Sequence, residues 1–559
     1  MNRNRIVRIV GWVLLAILVV SALTTLAFYW RVKYDPPKPG MSSIKKQDLI
    51  RLSENHFILG NNWLRKNKNG NWECYVEGSA YDRGRTLGIL QQELMEAQEI
   101  AFLNEINEHV SSPFLRTFLL AGIAWFNRDL DKQIPEENRE EIYGMSEFFS
   151  DKFDGIGPKY NRILNYHAAH DIGHAVQNMH LVGCTSFGSW SNDFGNEKMV
   201  FGRNFDFYFG DTFAKEKVVL FCKPDNGYSY VSVTWAGFSG VVSGMNRVGL
   251  GITLNSGKSE IPTKSGTPVS IIAREILQYA SSIDEAIVIA NKYTSFVSES
   301  FTISSATDSI IMVIEKTPEK TGLYFPEENR IIVTNHFQSK ELKNLPLNER
   351  HILDSESMRR YMRVDELLSA YTTPDVLDVL SVLRDQRGLG NSDIGMGNPL
   401  AINQLLAHHA VIFKPYKRIV WVSNFPYQEG VFDAYDLNNF SHLKASEVVF
   451  PISIDTLELA ADPFLETTGF HSFNRFKQLR QAILSATKSG EQLAPELVSE
   501  FLESNPAYYG TYQIAGLYFY SIDQTNQALE SFRKALGKEI PYVADKITID
   551  QLIEDIEKQ

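Results

Sequence analysis

Between Ile9 and Trp30 the chain carries no charged residue, and most of that run is Val, Leu, Ile and Ala. As a helix it is long enough for a bilayer core of roughly 30 Å, which takes about 20 residues. It is longer than the apolar stretch of about 7–15 residues in a cleaved signal peptide, and no clear small-x-small cleavage site follows. It ends in Phe28, Tyr29 and Trp30, which suit a membrane–water boundary. The sequence predicts an uncleaved single-pass anchor, with a cleaved signal as the alternative. Arg3, Arg5 and Arg8 favour an N-terminus held inside and a body on the extracytoplasmic side; Arg31 and Lys33 oppose that bias. Tyr34-Asp-Pro-Pro-Lys-Pro-Gly40 then reads as a stiff extended linker. No later segment reads as a second span, so the remainder has to bury its apolar residues within itself.

The composition allows this. Of 559 residues, 44% are hydrophobic and 22% charged, a balance that excludes a mostly disordered chain. A net charge of −12 argues against a protein that coats phosphate backbones, so no nucleic-acid partner is expected. Cys74, Cys184 and Cys222 are the only cysteines, which excludes a disulfide scaffold and a cysteine-rich zinc module.

Residues 41–180 read as mainly helical, with one short strand near Glu73 and glycines Gly78, Gly84 and Gly88 placed for tight turns and close helix packing. From Cys184 the texture changes to short runs rich in β-branched and aromatic residues, separated by turns such as Pro224-Asp-Asn-Gly227. Helical blocks at about 270–293, 350–369 and 374–384 interrupt further strands, the last at Ala410–Phe413 and Arg418–Val422. Strands, helices in blocks and strands again predict an α+β fold with stacked antiparallel sheets. The expected layout is 1–33 cytoplasmic stub and anchor, 34–183 linker and helical propeptide, 184–450 catalytic core and 451–559 helical. In the last region Gly516, Phe519, Ala528, Phe532, Ala535 and Pro541 follow the small/large pattern of one tetratricopeptide-like helix pair. Such repeats need about three units to stack, so a cap docked on the body is expected; a protein-partner surface is the other reading.

Cys184 sits in Leu181-Val-Gly-Cys-Thr-Ser-Phe187, where the helical texture gives way to strands. A buried, inert cysteine is the ordinary reading. The flexible Gly183 before it and the hydroxyls of Thr185 and Ser186 after it suit a cut that makes Cys184 a new N-terminus. An α-amine titrates near 7.7–8.0 and a thiol near 8.5, so one residue would hold both nucleophile and base. Arg203 and Asp206, in Phe201-Gly-Arg-Asn-Phe-Asp-Phe207, lie far enough on for a second strand to return them beside it. The acid would hold the amine, and the guanidinium would favour thiolate. Asn255 and Asn335 each end a strand; an amide N–H there can face an oxyanion, although strand-end Asn is often only a turn former.

Gly78…Tyr81-Asp-Arg-Gly84…Gly88, Gly183-Cys-Thr-Ser-Phe187, Gly202-Arg-Asn-Phe-Asp206, Gly244-Met-Asn…Gly249-Leu…Asn255 and Thr334-Asn-His-Phe337 together resemble the acyl-CoA:6-aminopenicillanic-acid acyltransferase family, which is grouped with choloylglycine hydrolases and acid ceramidase among the N-terminal nucleophile hydrolases. The resemblance covers roughly residues 70–435. It implies a four-layer αββα sandwich, self-cleavage before the cysteine, no cofactor or metal, and attack on an amide of a small-molecule N-acyl substrate or acyl donor. It implies Cys184 as nucleophile with its own amine as base, Asp206 positioning that amine, Arg203 in support, Asn255 and Asn335 as the oxyanion site, and Arg360 as a distal arginine. Ser357 matches the family's serine, whereas Glu356 departs from its paired-serine pattern. The Cys184-to-Arg203 spacing is longer than in bile-salt and ceramide members and argues against either substrate.

Other constellations compete. His170-Asp-Ile-Gly-His174, with His167 and His180 nearby, would suit a zinc metallohydrolase, but Asp171 is shorter than the usual Glu and Gly173 weakens the helix. Gly388-Leu-Gly-Asn-Ser-Asp-Ile-Gly-Met-Gly397 lacks the Lys-Ser/Thr of a nucleotide cradle and reads as a rim loop over the pocket. His408-His409 read as ordinary strand-edge residues. A membrane-anchored scaffold with an inactive hydrolase fold is the non-enzymatic alternative.

Overall fold

The computed structural model describes every residue except 1–2, 110–111, 176–181, 192–198, 209, 259–264 and 559. Among the described residues two sheets form. One has eleven strands, running in space from Ile50–Ser53 to Thr321–Tyr324. The other has six, in the order Arg330–Val333, Val182–Ser189, Val200–Phe207, His409–Lys414, Ile419–Ser423 and Phe432–Asp436. Period-two alternation gives each strand two faces. Phe201 and Phe413 of the small sheet and Phe221, Val231 and Ile311 of the large sheet share one buried cluster, so these faces meet between the sheets. The outer face of the small sheet packs on Val364, Val379 and Leu383 of helices Ser357–Leu368 and Val376–Leu383. The large sheet's outer face packs on helices that include Ala80–Leu90, Glu136–Ser146 and Val269–Tyr279. The result is α+β, layered helix, sheet, sheet, helix.

The stretch before Cys184 is less helical than its sequence suggests. Residues 50–78 contribute four strands to the large sheet, and the last, Trp72–Gly78, pairs in parallel with Val218–Pro224. That partner lies far along the chain, so no local pattern announces it. The glycines behave as their spacing predicts. A Cβ on Gly84 would lie 2.0 Å from the carbonyl oxygen of Glu141, and one on Gly144 would lie 2.7 Å from that of Tyr81. The two helices therefore approach backbone to backbone. Buried Arg83 and Arg274 both pair with Glu141, at 2.7 and 2.6 Å, binding this segment to the sheet's covering helix.

Helix Arg3–Val32 stands clear of the body, and its segment Gly11–Val32 is long and apolar enough to cross a membrane by length and composition. Its base is tied down: Arg31 pairs with Asp129 at 2.8 Å, Phe28 stacks on Trp125, and the buried Tyr34 hydroxyl donates to the carbonyl of Asn127. At the other end are five helices between Thr468 and Glu557: Phe532, Ala535 and Ile549 belong to a cluster of their own, whereas Phe473, Phe476 and Ile483 share one with Leu405 and Tyr427 of the body. Gly516 packs against the Phe532 ring, as the small/large pattern predicts. This region docks on the body through Lys477 to Asp211, Asn505 to Met396 and Arg359 to Glu539. The glycine-rich segment 388–397 lies against these helices. Gly395 has φ +81°, and a Cβ there would lie 2.3 Å from the backbone nitrogen of Tyr508. The C-terminal helices press directly on this segment.

Candidate functional site

Antiparallel pairing of Val182–Ser189 with Val200–Phe207 sets the register of the site. Cys184 lies opposite Phe205, Ser186 opposite Arg203 and Gly183 opposite Asp206. Alternation then puts the side chains of Cys184 and Arg203 on the face toward the large sheet, and Asp206 on the face toward the covering helices.

Arg203 is fully buried and its planar fork is shared among three acceptors. Nη2 donates to Cys184 Sγ at 3.4 Å and to the carbonyl of Leu254, while Nη1 donates to Ser243 Oγ at 2.8 Å. The guanidinium carbon lies 4.0 Å from the centroid of the Phe205 ring. Burial nevertheless pushes the Cys184 thiol up to about 11, with Arg203 pulling it down and Asp206 and Glu299 pushing it up. At such a value this sulfur is a thiol at neutral pH.

On the other face Arg360 holds the backbone around Cys184. Its Nη1 donates to the Cys184 carbonyl at 2.7 Å and to Thr185 Oγ1 at 2.8 Å; its Nη2 donates to Asn335 Oδ1 at 2.7 Å and to Glu356 Oε1 at 2.9 Å. Glu356, the departure from the paired-serine pattern, is thus the buried counter-ion of Arg360. Burial raises its carboxyl, but Arg360 and His351 bring it below the ordinary value. Ser357 Oγ accepts the backbone N–H of Asn335 at 2.8 Å and fixes that strand end.

The two asparagines differ in what they have left to donate. Asn335 Oδ1 accepts the backbone N–H of Cys184 at 3.1 Å, and its Nδ2 serves the carbonyl and hydroxyl of Ser256. Asn255 Oδ1 accepts Ser186 Oγ–H at 2.7 Å, and among the described residues its Nδ2 serves only the carbonyl of Val333. Since a side-chain amide has two N–H donors, among the described residues Asn255 keeps one uncommitted and Asn335 keeps none. Asp206 is fully buried, and neither carboxylate oxygen has a hydrogen-bond partner among the described protein groups. Burial pushes its carboxyl up to about 7, against the pull of Arg360 and Arg203.

Residues 193–392 match the model of the acyl-coenzyme A:6-aminopenicillanic acid acyl-transferase family. The matched span holds Arg203, Asp206, Asn255, Asn335 and Arg360 and begins just after Cys184. The chain is 24% identical over 236 residues to an uncharacterized protein of Archaeoglobus fulgidus, covering 39% of this chain and 38% of that one. It is 26% identical over 235 residues to the protein dcd1A of Dictyostelium discoideum, covering 38% and 50%. The chain thus spans half or less of these curated relatives. Among solved structures it is similar to a Caenorhabditis elegans N-acylethanolamine-hydrolyzing acid amidase ortholog (16% identity, TM-score 0.30, covering 42% of this chain and 93% of that one). It is also similar to a mutant conjugated bile acid hydrolase from Clostridium perfringens (18%, 0.30, 46% and 93%).

The competing metal reading rests largely on side chains outside the described residues. His167, the one histidine of that group whose side chain is described, is buried with both ring nitrogens engaged, by the Ile163 carbonyl and by Ser239. His170 and His174 fall in helix Lys159–Ala175, but their side chains, like His180 altogether, lie outside the described residues. Among the described residues no group of three or more His, Cys, Asp or Glu is arranged to hold a metal. The sequence reading missed Ser243 and the contact of His409 with it. His408-His409 stand at the start of strand His409–Lys414, as expected, but both are fully buried, and His409 lies 2.9 Å from Ser243 Oγ. Only pairing between distant strands reveals them. Phe207, on the same face as Phe205, lines an apolar cavity with Met95, Phe102, Phe149, Phe213 and Trp235.

Proposed function

We propose that this chain is a self-processing cysteine amide hydrolase or N-acyltransferase, cut between Gly183 and Cys184, that acts on a non-peptide C–N amide through an acyl-cysteine. The observation that carries this reading is Asp206: a buried carboxyl with no hydrogen-bond partner among the described residues, opposite Gly183 in the strand pair. Leaving such a group unpaired is costly, and an α-ammonium at residue 184 would pair it. In the cut, Cys184 Sγ adds to the Gly183 carbonyl carbon, the peptide C–N bond breaks, and the proton goes to the Cys184 nitrogen. Water then releases Gly183 as a carboxylate and regenerates the thiol. In turnover the freed amine takes the Sγ proton and the sulfur attacks the substrate carbonyl. Asn255 offers its remaining N–H to the oxyanion, and the departing amine leaves with the proton. Water or a second amine then takes the acyl group. Asn335 and Arg360 hold the Cys184 backbone through both stages.

The apolar cavity beyond Phe207 suits the acyl portion of the substrate. Helix Arg3–Val32 would retain the enzyme at a membrane with its body on the extracytoplasmic side, and the C-terminal helices act as a docked cap. The full-length chain in detergent, incubated with a panel of N-acyl amides and acid-quenched, is expected to show an acyl adduct on Cys184 by peptide mass spectrometry. Turnover that persists in Cys184→Ala overturns the assignment.

A further inference from the structure

We infer that Ser243, His409 and His408 form a buried relay that fixes Arg203, and through it the sulfur of Cys184, which makes His409 a positioning residue; the inference rests on the nucleophile reading above. The contacts are continuous. Arg203 Nη1 donates to Ser243 Oγ at 2.8 Å, His409 Nε2 lies 2.9 Å from that oxygen, and His409 Nδ1 lies 2.8 Å from His408 Nδ1. All four side chains are fully buried.

Arg203 dictates where the protons sit. A guanidinium only donates, so Ser243 Oγ accepts from it and turns its own proton to His409 Nε2. His409 then carries its proton on Nδ1 and gives it to His408 Nδ1. His408 is left with an N–H on Nε2, which has no hydrogen-bond partner among the described residues and belongs to a ring centred 4.9 Å from Phe213 and 5.6 Å from Trp235. The opposite direction sets a bare nitrogen lone pair among those aromatic rings and makes Ser243 Oγ accept from both Arg203 and His409, which leaves the Ser243 proton without either of them as acceptor. Burial keeps both imidazoles neutral, with Lys217 and Arg203 adding to the effect at each and His408 adding to it at His409. With one arm of the planar fork pinned on a fixed acceptor, the other arm is directed at Sγ.

The test is the rate of Cys184 alkylation by iodoacetamide in the full-length protein, with cleavage at residue 184 read on the same samples. Ser243→Ala and His409→Ala are each expected to slow alkylation on the order of tenfold. The double variant should lose no more than either single, because both break one relay. His409→Gln, whose Oε1 accepts the Ser243 proton, should restore most of the rate. Ser243→Ala removes one oxygen and keeps the test alive where His409→Ala fails to fold. Unchanged rates in the single variants, or additive losses in the double, overturn the relay while leaving the nucleophile reading intact. A wild-type chain neither cut nor alkylated at Cys184 overturns that reading, and the relay's role with it.

Discussion

Arg203 Nη2 points at Cys184 Sγ across 3.4 Å while the same guanidinium holds Ser243 and the Leu254 carbonyl. A lysine keeps the charge but has no planar fork to satisfy three acceptors at once. Arg203→Lys is therefore expected to slow thiol alkylation at Cys184 by roughly tenfold and Arg203→Ala by roughly a hundredfold, where each tenfold corresponds to about 1.4 kcal/mol. Equal rates in wild type and Arg203→Lys would show that charge alone matters.

Asp206 makes the uncut chain sensitive to pH. Its carboxyl is pushed up to about 7 by burial, against Arg360 and Arg203. A folded value above the unfolded one means the native state holds this proton more tightly. The associated stability is fully present below the unfolded value, roughly pH 4, and is lost as pH rises through about 7. In a Cys184→Ala background, expected to stay uncut, Asp206→Asn should raise the thermal midpoint at pH 8 and leave it nearly unchanged at pH 4. Differential scanning calorimetry at the two pH values reads this out; a shift of the same size at both contradicts it.

The Glu356–Arg360 pair is the structural counterpart of a sequence departure. Both side chains are almost wholly buried, 2.9 Å apart. Removing one member of such a pair strands the other charge and costs about 3–5 kcal/mol. Glu356→Ala is expected to lower unfolding free energy by about that amount in urea titrations. A loss under about 1 kcal/mol would mean that Arg360 is adequately held by the Cys184 carbonyl, Thr185 and Asn335.

The helix Arg3–Val32 is predicted to hold the full chain in the membrane fraction through an alkaline carbonate wash, and a chain lacking residues 1–33 to be released. Extraction of the full chain by carbonate would remove the anchor from the account.

The strands after Cys184 were legible because β-branched and aromatic runs alternate with turn residues, and the strand expected at Ala410–Phe413 emerges as His409–Lys414. Close packing at Gly84 was legible because only glycine admits a backbone at such range. Trp72–Gly78 and its parallel partner were not, since pairing across that separation leaves no local trace. Cys184, Arg203, Asp206, Asn255, Asn335 and Arg360 could be named from motif order, and they gather around one strand pair. What their chemistry needs from Ser243, His409 and Glu356 could not be read this way. Ser243 and His409 meet Arg203 only through strand pairing, and the i to i+4 spacing of Glu356 and Arg360 was the sole sequence signal for their ion pair.

N-terminal sequencing of the mature, active protein tests the central claim most directly. The account predicts a fragment that begins Cys-Thr-Ser-Phe at residue 184, accompanied by a fragment ending at Gly183. A fully active single chain, with no new terminus at Cys184, contradicts it.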